Sequence, residues 1–310
     1  MPHTFQTDVA QLFPQFATFR DALHRLDWTA CRAVLDTATA EDRTRLIGLG
    51  AEERIAEDFL RGLVQRDPAD GAAFALLGQF LIITGWNIRT AARAQHVRPE
   101  QWRGFFQWLH RAEQVLLEGA ARHPADPAIW TSRLLSARGI SLGVDEETRR
   151  YARLAAIDEH HLPAQVQHLQ QLLPKWSGTF EQAHAFANER MLAALPGAPH
   201  GMLVAEAHLE HLGEIGGADQ RTYLQQTLPD LRAAAERSVL NHAFTPGIYP
   251  ADQALGTFAL AFHRYGDREY AARVFRLMGA RAAMAPWDMY STMPTGALHE
   301  ARAWAMRGEN

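Results

Sequence analysis

The sequence predicts an all-α fold made of antiparallel helix hairpins that stack on one another. Apolar residues recur at helical spacing along most of the 310 residues, and helix-capping residues mark the breaks between these stretches. No comparably long stretch alternates apolar and polar residues, as a half-buried strand would. The residues are 47% hydrophobic and 21% charged. This composition supplies enough apolar surface for a core, which excludes a wholly disordered chain.

The predicted helices follow one another with short breaks. Residues at spacings of three and four form one apolar stripe on each of three stretches: Ile55, Phe59 and Leu63; Trp102, Phe105, Phe106, Leu109, Ala112, Leu116, Leu117 and Ala120; and Val166, Leu169 and Leu172. Such a stripe is typical of a helix with one buried face. We expect about a dozen helices of ordinary length and no sheet.

One motif that ends a helix and starts the next occurs twice. Arg-x-Pro-Ala-Asp is followed by an aromatic residue four positions after the aspartate, once at Asp70 with Phe74 and once at Asp126 with Trp130. Asp126 precedes Pro127, which suits an N-cap followed by proline at the first helical position. Thr179 and the glutamine three residues later have capping-box spacing, which predicts another helix start.

The C-terminal part resembles the tetratricopeptide-like repeats. With Gly266 and Asp267 at the inter-helix turn, large and small packing residues fall where that repeat carries them: Leu255, Phe258, Ala259, Phe262, Ala271 and Phe275. The resemblance implies a short superhelical array in a single domain, 1–310. Its hairpins would occupy 51–285, between an N-terminal cap at 1–50 and a C-terminal cap at 286–310.

The middle of the chain, roughly 76–210, resembles a family of uncharacterised, mainly actinobacterial helical proteins. The similarity rests on Gly85-Trp86, Gln101-Trp102, Ala112-Glu113, His123-Pro124-Ala125-Asp126-Pro127, Ala137-Arg138-Gly139 and Leu173-Pro174-Lys175-Trp176-Ser177-Gly178-Thr179. The Lys-Trp-x-Gly turn is its most specific element. The familiar form of that turn has a second glycine where this chain has Ser177. The resemblance supports the helical fold and implies no activity.

Composition limits the classes of function. A formal charge of −4 gives no general affinity for nucleic acid or an anionic membrane. Cys31 is the single cysteine, which excludes an internal disulfide and a Cys-rich zinc site. We find no secretory signal in the first residues and expect no membrane-length apolar stretch. We therefore expect a cytoplasmic bacterial protein.

Binding to a protein or peptide partner in a concave groove is the function that this fold favours. Arginine and tryptophan supply many binding hot spots, and arginine forks suit carboxylates. The candidate ligand-binding residues are Trp86, Arg89, Arg93, Trp102 and Trp176. Arginine is also the common cation of this chain, since Lys175 is its only lysine.

The alternative function is an enzyme built on the helical scaffold and acting on a small molecule. Glu181 and His184 have the i, i+3 spacing that helical di-metal proteins use, and His208 and His211 repeat it on the next helix. These four residues are the candidate ligands of a divalent metal; under the binding function no cofactor is expected. The ordinary interpretation is a set of solvated polar helix faces.

Lys175 and His184 are the candidate catalytic residues under the enzyme alternative. A lysine can lose its proton when buried and then act as a base or nucleophile, which arginine cannot do. The ordinary interpretation makes Lys175 a helix C-cap and Trp176 a packing anchor. An enzyme predicts a deep pocket with converging His and Glu, whereas a binding protein predicts an open groove with those residues scattered and solvated.

Overall fold

The computed structural model describes residues 5–90, 92 and 94–307, and in these residues the chain is all-helical, as predicted. Their β pairing is limited to one bridge between Gln6 and Arg281. The α-helices of the described residues are α1 (Val9–Leu12), α2 (Pro14–His24), α3 (Trp28–Thr37), α4 (Ala40–Gly50), α5 (Glu57–Arg66), α6 (Gly71–Arg89), α7 (Pro99–Arg122), α8 (Pro127–Gly139), α9 (Val144–Ala155), α10 (Leu162–Gln171), α11 (Phe180–Ala193), α12 (Met202–Glu214), α13 (Gly217–Arg237), α14 (Tyr249–Tyr265), α15 (Arg268–Met278), α16 (Ala285–Tyr290) and α17 (Pro294–Ala305). They outnumber the predicted dozen partly because helices as short as α1 and α16 do not complete two turns and leave no periodic stripe in the sequence.

The chain forms two compact units. Unit 1 consists of Met1–Pro14 with Thr179–Asn310, and unit 2 consists of Gln15–Gly178. The boundary falls inside the predicted hairpin array at 51–285. The single domain with two caps stays a prediction.

Helix α6 is the core helix of unit 2 and contacts α4, α5, α7 and α8. By length and composition it could also cross a membrane, contrary to the sequence expectation, and it is the one helix of the described residues that could. More than half of its most apolar window is buried inside the protein. Core helices of this kind meet the same criteria, so this is weak support for a membrane span.

Helices α6 and α7 pack antiparallel at close range. A Cβ atom added to Gly78 would overlap the side chain of Leu116, and one added to Gly85 would lie 2.5 Å from Leu109 Cδ1. These leucine side chains would have to shift to admit a larger residue, so glycine accommodates this separation of the two helices without such a shift. The close approach brings the end of α6 against the start of α7.

Both copies of the repeated motif cap a helix, as predicted. Asp70 accepts hydrogen bonds from two backbone N–H groups at the start of α6, and Asp126 does the same for α8. Each aspartate also binds an arginine from an earlier helix: Arg32 of α3 pairs with Asp70, and Arg43 of α4 holds Asp126 through two bonds of 2.7 Å. Within unit 2, these ion pairs link α3 to the start of α6 and α4 to the start of α8.

In unit 1, α14 and α15 form the hairpin predicted around Gly266. Gly266 ends α14 in the left-handed conformation, with φ of 71°, and Asp267 caps α15 by accepting a hydrogen bond from Tyr270 N–H. All six predicted packing residues are at most 1% exposed: Leu255, Phe258, Ala259, Phe262, Ala271 and Phe275. Helix α12 packs against α11, α13 and α14.

The Lys-Trp-x-Gly segment is a tight turn after α10. Pro174–Trp176 form a short 3₁₀ turn, and Ser177 then adopts a left-handed conformation with φ of 80° and ψ of 10°. A Cβ atom on Gly178 would overlap the carbonyl oxygen of Leu172. The position where the similar family has its second glycine is therefore one where this backbone conformation favours glycine.

Replacing Ser177 by glycine should stabilise the protein. A left-handed conformation costs a non-glycine residue about 1 kcal/mol, and glycine avoids that strain at the price of a more flexible unfolded chain. We expect Ser177→Gly to raise the free energy of unfolding by about 0.5 kcal/mol, measured by urea unfolding. The matched control is Ala152→Gly on the exposed face of α9, which should lower it by about 1 kcal/mol. A loss of stability in both variants would contradict this explanation of the turn.

Candidate functional site

The Arg–Trp cluster of unit 2, defined as Trp86, Arg89, Trp102 and Trp176, is the first candidate site. Arg89 is the last residue of α6, and its Cζ lies 5.3 Å from the ring centroid of Trp86 and 5.0 Å from that of Trp102. The rings of Trp86 and Trp176 meet edge to face, with their centroids 6.0 Å apart. Four of the five predicted ligand-binding residues are thus brought together. The fifth, Arg93, lies outside the described residues.

The cluster presents hydrogen-bond donors and no carboxylate. Arg89 is 8% exposed, and its Nη1 donates to the backbone carbonyls of Thr90 and Ala92. Its Nε and the Nε1 of Trp86 are buried and find no acceptor among the described residues. Burial alone lowers the pKa of Arg89, and no acidic group of the described residues offsets this effect. A guanidinium at such a site stays charged, so the cluster is locally positive.

Trp176 is partly buried and is covered on one side by Arg138, whose Cζ lies 5.7 Å from its ring centroid. Arg138 is held there by Gln167, because it donates to both the backbone carbonyl and the side-chain Oε1 of that residue. Lys175, on the same turn, is exposed and makes an interaction of its own. The role of Lys175 as a catalytic residue stays a prediction.

The histidine cluster of unit 1, defined as His184, His208, His211 and Tyr223, is the second candidate site. Helix α11 carries His184, α12 carries His208 and His211, and α13 carries Tyr223. His184 Nε2 lies 3.1 Å from His211 Nδ1 and 3.2 Å from the Tyr223 hydroxyl, which in turn lies 2.7 Å from His208 Nδ1. Three helices thus form one hydrogen-bonded chain of side chains.

All three imidazoles are held neutral. Burial, with the neighbouring histidines, lowers the pKa of His184 to about 4 and that of His208 to about 3. The pKa of His211 is also lowered by burial. His208 is 3% exposed, so the expectation of a solvated polar face under the binding function is wrong for this residue. The ring of His211 stacks on Phe180 at 3.9 Å.

Glu181 is not part of the hydrogen-bonded network that links the three histidines. It is exposed at the first turn of α11, where hydrogen bonds from its own backbone N–H and from Thr179 lower its pKa. In the described residues no group of three or more His, Cys, Asp or Glu side chains is arranged to hold a metal ion. The four-residue metal site stays a prediction.

Tyr223 is the member of the cluster that the sequence did not reveal. It lies 15 residues after His208, on another helix, so no helical spacing relates the two. Burial, followed by the neighbouring Tyr265, raises the pKa of the Tyr223 hydroxyl, which stays protonated. Tyr265 is joined to Thr227 by a hydrogen bond of 2.9 Å.

The two candidate catalytic residues belong to different units, Lys175 to unit 2 and His184 to unit 1. Their cooperation in catalysis stays a prediction. No protein-family model matches the chain, and no curated protein sequence is similar to it.

The buried histidines should make stability fall as the pH falls. An unfolded histidine takes up its proton near pH 6.5, whereas His184 and His208 stay neutral in the folded protein until about pH 4 and 3. Between these limits the unfolded state binds more protons, so the free energy of unfolding falls by up to about 1.4 kcal/mol per pH unit for each group. Urea unfolding at pH 7 and pH 5 measures this slope, which is the change in the free energy of unfolding per pH unit. We expect His208→Asn to make it shallower.

The matched control is His242→Asn, because His242 is exposed. It should leave the slope as it is in the unchanged protein. Equal slopes in the unchanged protein and the His208→Asn variant would mean that His208 is not held neutral by the fold.

Proposed function

We propose that the chain is a helical-repeat binding protein that recognises an acidic segment of a protein or peptide partner through the Arg–Trp cluster. One observation carries this proposal. A guanidinium is held between two tryptophan rings, and no carboxylate of the described residues pairs with it.

A carboxylate is the ligand that fits such a cluster. The Nε of Arg89 and the Nε1 of Trp86 are hydrogen-bond donors that a ligand with acceptor oxygens can satisfy. A guanidinium also binds a carboxylate through charge-assisted hydrogen bonds. The rings of Trp86, Trp102 and Trp176 are each partly exposed, so they offer apolar contact area around the charge. Arginine and tryptophan are also the residues that most often dominate binding energy at protein interfaces.

A tetratricopeptide-like stacking of hairpins is the architecture that we propose for this protein. It is supported within unit 2 by the antiparallel α6–α7 pair and within unit 1 by the α14–α15 pair, in which Ala259 and Ala271 are fully buried. Small residues at such positions let two helices approach closely. The net charge of −4 favours a partner recognised locally over nucleic acid or an anionic membrane, and we propose a cytoplasmic location.

Catalysis on a small molecule at the histidine cluster is the second candidate function. It is favoured by the direct hydrogen bond between His184 and His211 and by their shared neighbour Tyr223. A neutral imidazole can accept a proton, and the tyrosine hydroxyl could pass it to His208. A divalent metal would bind through the imidazole nitrogens in place of these hydrogen bonds.

Labelled peptides test the binding function. We would compare an acidic decapeptide rich in Asp and Glu with its Asn and Gln counterpart by fluorescence anisotropy at physiological salt. We expect the acidic peptide to bind at least tenfold more tightly, because only it can pair with Arg89. Trp102→Ala should weaken binding about tenfold, as truncation of a hot spot does.

Trp108→Ala is the matched control for this experiment. Trp108 lies six residues after Trp102 on α7, about 9 Å further along the helix axis. The Cζ of Arg111 lies 4.2 Å from the centroid of its ring. This variant should bind the acidic peptide like the unchanged protein. Equal affinity for the two peptides would contradict the proposed site. An equal loss of affinity in both tryptophan variants would also contradict it.

Metal content separates the two candidate functions. The protein would be purified without a chelator or an affinity tag, and iron, manganese and zinc per chain measured by mass spectrometry. The binding function leads us to expect far less than one metal ion per chain. One ion per chain that disappears in both His208→Asn and His211→Asn, yet remains in His242→Asn, would establish the metal-dependent alternative.

A further inference from the structure

Unit 2 contains a second cationic site, a cavity of about 240 Å³ between α8 and α9. This arginine pocket is lined by Trp130, Arg133, Glu146, Arg149, Arg150 and Arg153. Helix α8 supplies the first two residues and α9 supplies the other four. On α9, Arg150 and Arg153 are three residues apart and Arg149 and Arg153 four apart, so one face of the helix directs them to the pocket.

The pocket is anchored by a buried carboxylate of α7. Glu113 accepts hydrogen bonds of 3.1 and 2.8 Å from the two terminal nitrogens of Arg150 and one of 3.1 Å from Arg133. The hydroxyl of Ser136 donates to the same carboxylate at 2.6 Å. Arg133 and Arg150 are 8% and 5% exposed, so their guanidiniums are fixed in place before any ligand arrives.

The positive charge of the pocket exceeds the negative charge that faces it. Glu113 is shared by Arg133 and Arg150, and Glu146 is shared by Arg149 and Arg150. Among the described residues, four guanidiniums therefore face two carboxylates, which leaves two positive charges unmatched.

Two arginines account for this surplus. Arg153 has a contact with the Trp130 ring, at 5.7 Å, and no ion pair among the described residues. The Nε of Arg133 is buried and finds no acceptor there. Burial and the charge of Arg150 both lower the pKa of Arg133, which is the signature of positive charge that its surroundings do not fully neutralise.

We propose that the arginine pocket binds a phosphate monoester. Such a group carries close to two negative charges at pH 7 and three acceptor oxygens, which match the two surplus positive charges of the pocket and the donor geometry of its guanidiniums. The cavity is smaller than a pocket for a drug-sized ligand, about 300 to 1,000 Å³, so the group attached to the phosphate is small or projects outward past Trp130. This site is separate from the Arg–Trp cluster, and neither proposal depends on the other.

Calorimetric titration with free phosphoserine tests the proposal, with succinate at equal ionic strength as the comparison dianion. We expect saturable binding of phosphoserine that is at least tenfold tighter than that of succinate. Arg153→Ala should weaken it at least tenfold, because a positive charge and its hydrogen bonds are lost. Binding should also weaken below about pH 6, where the phosphate gains its second proton.

Arg122→Ala is the matched control, since Arg122 is an exposed arginine of α7 paired with Glu118 and does not line the pocket. It should bind phosphoserine within twofold of the unchanged protein. Absence of saturable binding, equal affinity for succinate, or an equal loss in the two arginine variants would each overturn the proposal.

A hexapeptide with one phosphoserine identifies the source of the monoester once phosphoserine binds. Equal affinity for the peptide and the free amino acid supports a small phosphorylated metabolite as the ligand. At least tenfold tighter binding of the peptide supports the same phosphate site with a phosphorylated protein as its source.

Discussion

The close contact between α6 and α7 is the constraint on which unit 2 depends. Gly78 and Gly85 leave room for Leu116 and Leu109, so the two helix backbones approach as near as side chains allow. This contact sets the register of the hairpin. It places the last turn of α6 beside the first turn of α7, and the Arg–Trp cluster is the consequence, because Arg89 and Trp102 come from those two turns.

The same hairpin also positions the arginine pocket. Glu113 lies on α7, on the side that faces α8 and α9, and is 9% exposed. A buried carboxylate is costly unless it is paired and hydrogen-bonded, and here two guanidiniums and a hydroxyl satisfy it. Removing one partner would leave an uncompensated charge in the interior. Glu113 therefore fixes α8 and α9 relative to α7, and the shape of the pocket follows from this anchor.

Local patterns in the sequence predicted local structure well, and long-range pairing poorly. Asp126 and Gly266 were placed correctly as a cap and a turn because capping depends on a few neighbouring residues. Arg89 was recognised as a candidate because arginines and tryptophans alternate in the sequence between Trp86 and Arg103. Tyr223 and Arg153 were missed, since each meets its partner only after separate helices have packed.

Both cationic sites belong to a chain whose formal charge is −4. At physiological salt, exposed charges are screened beyond about 8 Å, so a ligand at either site meets the nearby guanidiniums and little of the overall charge. Buried arginines strengthen this local effect, because interactions in a low-dielectric interior are screened less. A net negative charge disfavours general polyanion binding but leaves specific anion recognition open. Under the two proposals, Arg89 and Arg133 take part in this recognition, because the fold buries both guanidiniums and burial lowers the pKa of each.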